Sequence, residues 1–86
     1  MNNYTIKWKS SAVKEISLIP KQYAKKIIES IDELQYSPRP PDCRKLRVFN
    51  NIYRIKISNY RVIYSIQDNI LSIEIIKIGH RKEVYR

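Results

Sequence analysis

The sequence predicts an α+β fold of order β-α-α-β-β-β-β, with two N-terminal helices packed on one face of a mainly antiparallel sheet. Three observations carry this. Apolar residues recur at helical spacing between Ala24 and Leu34, and residues 4–9 alternate with period 2. From Lys45 onward β-branched and aromatic residues dominate, broken by the polar pairs Asn50-Asn51, Ser58-Asn59 and Asp68-Asn69.

Taken in order, Tyr4, Ile6 and Trp8 alternate with Thr5, Lys7 and Lys9, the pattern of a strand with one buried face. Ser10 or Ser11 can cap a short helix whose Ala12, Val13, Ile16 and Ile19 share one side. Pro20 suits the first turn of a second helix carrying Ala24, Ile27, Ile28, Ile31 and Leu34 at i, i+3, i+4, i+7 and i+10. Ser37-Pro38-Arg39-Pro40-Pro41-Asp42 cannot continue it, because proline lacks the amide and restricts the residue before it. A four-stranded meander follows. With 86 residues and no internal repeat, the whole chain, 1–86, is expected to form one domain with one core.

Lys and Arg number 17 against 8 Asp and Glu, a formal charge of +9 that calls for a polyanion or an acidic partner. The lone Cys43 and the polar start of the chain predict cytoplasmic residence, and no apolar run is long enough to span a bilayer. One His and one Cys argue against a zinc site, so no metal and no cofactor are expected.

If the three polar pairs are two-residue turns, facing residues sum to 101, 117 or 137. Leu46, Ile55, Val62 and Ile75, then Val48, Tyr53, Tyr64 and Ile73, line the face under the helices. Lys45, Lys56, Arg61 and Ile76, then Arg47, Arg54, Ile63 and Glu74, line the other. Five cations thus share a patch with one carboxylate. Like charges directly opposite destabilise a sheet, whereas a merely solvated face mixes signs. Phosphate is the natural counter-ion, since Arg offers a planar fork and Lys a movable point charge. In RNA the 2′-hydroxyl can attack the adjacent phosphate if a base takes its proton and cations hold the extra negative charge. Lys56, crowded by Lys45 and Arg61, has its charged form disfavoured and is the candidate base. The ending Gly79-His80-Arg81-Lys82-Glu83-Val84-Tyr85-Arg86 can fold toward this face. It would bring Arg81, a histidine able to donate a proton and a tyrosine able to stack on a base.

The stretch Tyr53-Arg54-Ile55-Lys56-Ile57-Ser58-Asn59-Tyr60-Arg61-Val62-Ile63-Tyr64 resembles the RelE family of the RelE/ParE toxin superfamily. Lys45-Leu46-Arg47 and the ending Gly79 to Tyr85 strengthen the likeness. The resemblance implies the toxin of a type II toxin–antitoxin pair, a ribosome-dependent endonuclease that cuts mRNA in the A site without a metal. It implies Arg54 and Lys56 as the basic pair of the central strand, with Lys56 the proton acceptor. Arg61 and Arg81 would stabilise the transition state, and Tyr85 would orient or stack on the substrate. Lys45, Arg47, His80 and Lys82 are the candidate RNA contacts. The implied partners are mRNA, the ribosome and a RelB-like antitoxin whose acidic segment wraps the toxin, with operator DNA bound only through the antitoxin and no membrane. Two other functions fit the same residues: a ParE-like gyrase poison of this fold without nuclease activity, and a plain RNA-binding module.

Overall fold

The structure, a computed structural model, describes residues 3–81. Its elements are β1 (Thr5–Trp8), α1 (Ser10–Ser17), α2 (Lys21–Glu33), β2 (Arg44–Lys45), β3 (Ile52–Ile57), β4 (Tyr60–Gln67), a 3-10 turn (Asp68–Ile70) and β5 (Ser72–His80). They form one five-stranded sheet in the order β1-β5-β4-β3-β2, with β1 parallel to β5 and every other pair antiparallel. This is the predicted α+β arrangement. No helix among the described residues is long and apolar enough to cross a membrane.

The alternation of residues 4–9 does form β1, and its end decides where α1 begins. The Lys9 amide donates to the Ile75 carbonyl at 3.0 Å, so Lys9 is held extended while its own carbonyl accepts the first helical amides, those of Ala12 and Val13. Helix α1 therefore starts at Ser10 with no side-chain cap, instead of being capped by a serine. Pro20 stands immediately before α2, where its missing amide costs nothing. Past Ile75, β5 has left β1 behind, and α1 lies along it. Glu15 Oε1 accepts the Ile78 amide at 2.9 Å, satisfying a strand donor that β1 no longer reaches.

The core lies between the helices and one sheet face. Ala12, Ile27, Ile31, Leu34, Ile55, Val62, Tyr64, Ile73, Ile75 and Ile78 are buried there, with Tyr53 at its border. Of the apolar residues predicted to cover the sheet, Val13 and Ile28 instead remain exposed on the helices. Of the meander's predicted core, Leu46 is only half-buried and Val48 is 87% exposed. The reason is that β2 is two residues long and Leu46–Asn51 is a loop, closed by a Leu46 amide bond to the Ile52 carbonyl.

Two of the three turns differ from the two-residue expectation. Ser58-Asn59 is one, with Ser58 at φ 57°, and β3 and β4 pair as Ile52↔Ser65 through Ile57↔Tyr60, the predicted register. The β2–β3 pairs are Arg44↔Arg54 and Lys45↔Tyr53, a slip of three residues that exchanges the two faces of β2. The β4–β5 connection takes four residues, Asp68 to Leu71, with Leu71 left-handed at φ 51°. Register there runs Gln67↔Ser72 to Tyr64↔Ile75, then jumps to Ile63↔Lys77. Ile76 is the extra residue of a β-bulge.

A polar network ties the proline loop to the sheet. Arg39 makes two bonds to Asp68, 3.2 and 2.8 Å, donates to the Tyr53 hydroxyl at 3.1 Å and lies over the Tyr53 ring. The Tyr4 hydroxyl donates to Asp68 at 2.6 Å, and the Tyr64 hydroxyl to the Pro38 carbonyl at 2.8 Å. Burial pushes the Tyr64 hydroxyl above the ordinary phenol range. Bonds from Arg39 and then Tyr4 hold the Asp68 carboxyl down to about 2.

Two outcomes follow. Ile75→Ala should lower stability in urea unfolding by about 2–5 kcal/mol, whereas Val48→Ala should change it by less than about 0.5 kcal/mol. Because the folded Asp68 value lies below the unfolded one, its contribution is complete above about pH 4 and disappears as pH falls toward 2. Asp68→Asn should remove that part of the acid loss, read as a flatter stability profile between those pH values.

Candidate nucleic-acid interface

The face of the sheet turned away from the helices is set by three pairings. Lys56 stands opposite Arg61, Arg54 opposite Ile63, and Arg44 opposite Arg54. From β5, Lys77 stands opposite Ile63 and Gly79 opposite Arg61. One row is therefore Arg44, Arg54, Ile63 and Lys77, and the next is Lys56, Arg61 and Gly79. The Arg81 amide donates to the Asn59 carbonyl at 2.9 Å, continuing the β4–β5 ladder and putting Arg81 one row beyond Gly79. The face thus brings together Arg54, Lys56 and Arg61, as the turn arithmetic predicts, with Arg81 at the margin.

It does not bring in Lys45 and Arg47. The slip in β2 turns Lys45 to the Tyr53 side, and Arg47 falls in the exposed loop beyond the strand. Arg44 takes the predicted position instead. His80 is also on the other face. It pairs with Tyr60, whose ring packs on the core, and the His80 ring meets that ring edge-on at 5.9 Å while Tyr23 meets it at 5.6 Å from α2. The bulge at Ile76 is the cause, because one extra residue reverses which of the later β5 residues face the cations. Lys82 and Tyr85 lie outside the described residues.

The electrostatics of the face are one-sided. Glu74, expected opposite Ile63, stays on this face but one row away from the cations, where it pairs with Ser65 and Lys7. Among the described residues the only ion pair is Arg39 with Asp68, so none of Arg44, Arg54, Lys56, Arg61, Lys77 and Arg81 is held by a carboxylate. Arg61 is only 8% exposed, and its Nη1 donates to the Tyr60 carbonyl at 3.1 Å. Arg54 Nη1 is buried with no hydrogen-bond partner among the described residues. Arg61 and one nitrogen of the half-buried Arg54 are therefore taken out of water with few compensating bonds, an arrangement that costs free energy unless an anion supplies the acceptors.

An open depression of about 620 Å³ lies over Arg54, lined by Arg44, Arg54, Lys56, Ser58 and the Pro41-Asp42-Cys43 segment. Asp42 is at its rim. No three His, Cys, Asp or Glu side chains gather into a metal-binding cluster among the described residues. Sequence reasoning missed Arg44 and Lys77. Nothing in the sequence marks the β2 slip, but Ile73-Glu74-Ile75-Ile76-Lys77-Ile78 changes phase at Ile75-Ile76, which is the mark of the bulge.

A small α+β domain with an uncompensated cationic sheet face agrees with what comparison with known proteins finds. Residues 6–85 match the family model described as ParE toxin of type II toxin-antitoxin system, parDE. A RelE-like toxin protein of Escherichia coli is 32% identical over 85 residues, covering 92% of this chain and 84% of its own. Toxin RelE3 of Methanocaldococcus jannaschii is 32% identical over 77 residues, 85% of each chain. Among solved structures, the archaeal RelE-RelB complex from Pyrococcus horikoshii OT3 contains a chain of TM-score 0.84 and 31% identity, covering 98% of this chain and 100% of that one. The isolated E. coli RelE toxin gives 0.80 and 29%, covering 95% and 90%. The chain belongs to the RelE/ParE superfamily of type II toxin–antitoxin toxins and is RelE-like within it.

The unpartnered guanidinium leads to a test without substrate. Arg54→Met replaces a half-buried charge, with its one buried and unpartnered nitrogen, by an apolar chain of similar length. It should raise stability in low-salt chloride buffer by about 1 kcal/mol, roughly 4–8 °C in Tm. Pyrophosphate should raise the Tm of the unaltered protein more than that of the variant.

Proposed function

We propose that this toxin is a ribosome-dependent mRNA endonuclease acting on the A-site codon, its reaction carried by the sheet face just described. The observation supporting this is the buried Arg61 and the half-buried Arg54, whose Nη1 lacks a hydrogen-bond partner, beside Lys56, with no carboxylate bound to any of them among the described residues. Such a face fits a phosphodiester better than a solvated surface, because an anion there regains the hydrogen bonds that burial removed.

In the proposed reaction Lys56 takes the proton of the 2′-hydroxyl. The 2′ oxygen attacks the adjacent phosphorus in line and the bond to the 5′ oxygen breaks, leaving a 2′,3′-cyclic phosphate and a 5′-hydroxyl whose proton comes from solvent water. Arg61 and Arg81 balance the charge of the five-coordinate phosphorus, and Arg54 holds the phosphate without acting as a base, since arginine stays protonated. Tyr85 is assigned the orienting or stacking role. His80 is left out of the reaction, its ring being packed against Tyr60 on the helix side.

The proposal includes a RelB-like antitoxin with an acidic segment, which a protein of charge +9 would attract. RelE relatives of the same fold have been crystallised with RelB. Operator DNA would be bound through that antitoxin. A gyrase-poisoning function is the alternative, favoured by the ParE description of the matching family model.

Purified protein added to a bacterial translation extract should cut mRNA within codons, mapped by primer extension, and should leave it intact without ribosomes. Lys56→Ala and Arg61→Ala should each slow cutting by about 100-fold or more. Intact mRNA from a folded protein, with DNA breaks that require gyrase, would replace this function by the alternative.

A further inference from the structure

The cationic depression does not end at the sheet. The last β2–β3 pair is Arg44 with Arg54, so β3 beyond Arg54 has no strand beside it there. The Leu46 amide bonds to the Ile52 carbonyl, which puts the backbone groups of Ile52, Arg54 and Lys56 on the β2 side by alternation. Lys56 therefore stands at an open edge. The proline loop runs past this edge and encloses a second cavity of about 320 Å³ on the helix side of the sheet. Leu34 and Ile55 contribute its apolar lining, Pro40 and Pro41 its wall, and Ser30, Glu33 and Ser37 its polar groups. Pro41, Asp42 and Lys56 line both cavities, so the two form one groove across the edge of β3.

Polarity reverses along that groove. On the sheet side it is cationic. On the helix side it has apolar walls with two hydroxyls, and Glu33 joins Asp42 to outweigh the shared Lys56, a surface that favours neither a phosphate nor an acidic peptide. A nucleotide has the same succession, an anionic phosphate and then a flat apolar ring with hydrogen-bonding edges. Volume also fits, since about 300 Å³ is the lower range of small-molecule pockets.

We propose that this second cavity receives one nucleobase of the strand whose phosphate lies on Arg54, Lys56 and Arg61, and that Glu33 selects cytosine over uracil. The selection rests on the RNA reading given above and concerns its base preference. A carboxylate accepts a hydrogen bond from the exocyclic amino group of cytosine, where uracil presents a carbonyl oxygen instead. Glu33 is exposed at the last turn of α2, so Glu33→Gln removes the charge without disturbing the core.

The test uses the full chain and uncleavable 2′-O-methyl trinucleotides, CCC and UUU, titrated by NMR. CCC should shift the amides of Ser30, Ser37, Asp42 and Lys56 and bind about tenfold more tightly than UUU. Glu33→Gln should bring that ratio close to one, whereas Arg54→Ala should weaken both trinucleotides equally. Equal affinity for the two, shifts confined to Arg44, Arg54 and Arg61, a preference that survives in Glu33→Gln, or no binding at all would overturn the proposal. Cleavage in the translation extract is read separately. If CCC occupies the cavity while mRNA stays intact, the nuclease function fails and the base site stands.

Discussion

Strand β4 is hydrogen-bonded on both sides and buried on both faces from Arg61 to Tyr64, and its register with β3 and β5 decides where every other group of the molecule goes. On the helix side, Val62 and Tyr64 stand between Ile55 and Tyr53 of β3 and Ile78 and Ile75 of β5, and α2 closes over them with Ile27, Ile31 and Leu34. On the opposite side the same strand carries Arg61 and Ile63 into contact with the cationic residues of its neighbours. A slip of one residue would exchange these sets, sending Val62 and Tyr64 to the cationic face and Arg61 into the core. The apolar side is therefore what makes the cationic side possible: burial there holds in place a row of like charges that would otherwise push the strands apart.

The bulge at Ile76 then refines what β5 adds to that face. Continued without interruption, the strand would present Ile76, Ile78 and His80 beside Ile63 and Arg61. With one extra residue it presents Lys77 and Gly79 there, sends Ile78 to the core and carries His80 to the aromatic contact with Tyr60. Gly79 has no side chain to fill the row opposite Arg61. Bulges re-aim side chains next to functional surfaces, and this one changes an apolar strand end into a cationic one. Helix α1 supports the shifted segment through Glu15, whose carboxylate takes the Ile78 amide that β1 is too short to reach.

How far the sequence reveals this depends on whether a signal is local. The spacing of Ile27, Ile31 and Leu34 identifies α2 because a helix repeats one short-range pattern. The Ser58-Asn59 turn fixes the β3–β4 register, and with it Arg54, Lys56 and Arg61, because both strands continue directly from the turn. Val48 and Phe49 mislead: they have strand-forming side chains, but β propensity is largely a statement about packing, and nothing packs on Val48. Arg44 thus takes the position opposite Arg54 where Arg47 was expected, and Lys45 does not stand opposite Lys56. At the other hairpin, Asp68-Asn69 has the composition of a tight turn, yet Asp68 is engaged by Arg39 and Tyr4, contacts far away in sequence that no local pattern announces. The phase change at Ile75-Ile76 is the one missed feature that was written in the sequence, and reading it would have moved Lys77 to the cationic face and His80 away from it.

The proline loop connects these two levels. Proline makes it stiff, so its three anchors, Arg39 on Asp68, Arg39 on Tyr53 and Tyr64 on Pro38, fix its path with little remaining freedom. That path brings Pro41 and Asp42 beside the open edge of β3, where they border the cationic depression and the cavity behind it at once. A flexible loop there would collapse onto the neighbouring guanidiniums through Asp42, since a mobile carboxylate beside unpaired cations gains more by pairing than it loses in entropy when the site is partly desolvated. Held by its prolines and by Arg39, Asp42 stays at the rim, and the cations remain unpaired for an incoming anion. The ion pair between Arg39 and Asp68 is exposed and adds little by direct attraction. Its consequence is positional, because it sets the one boundary that the cationic face does not supply for itself.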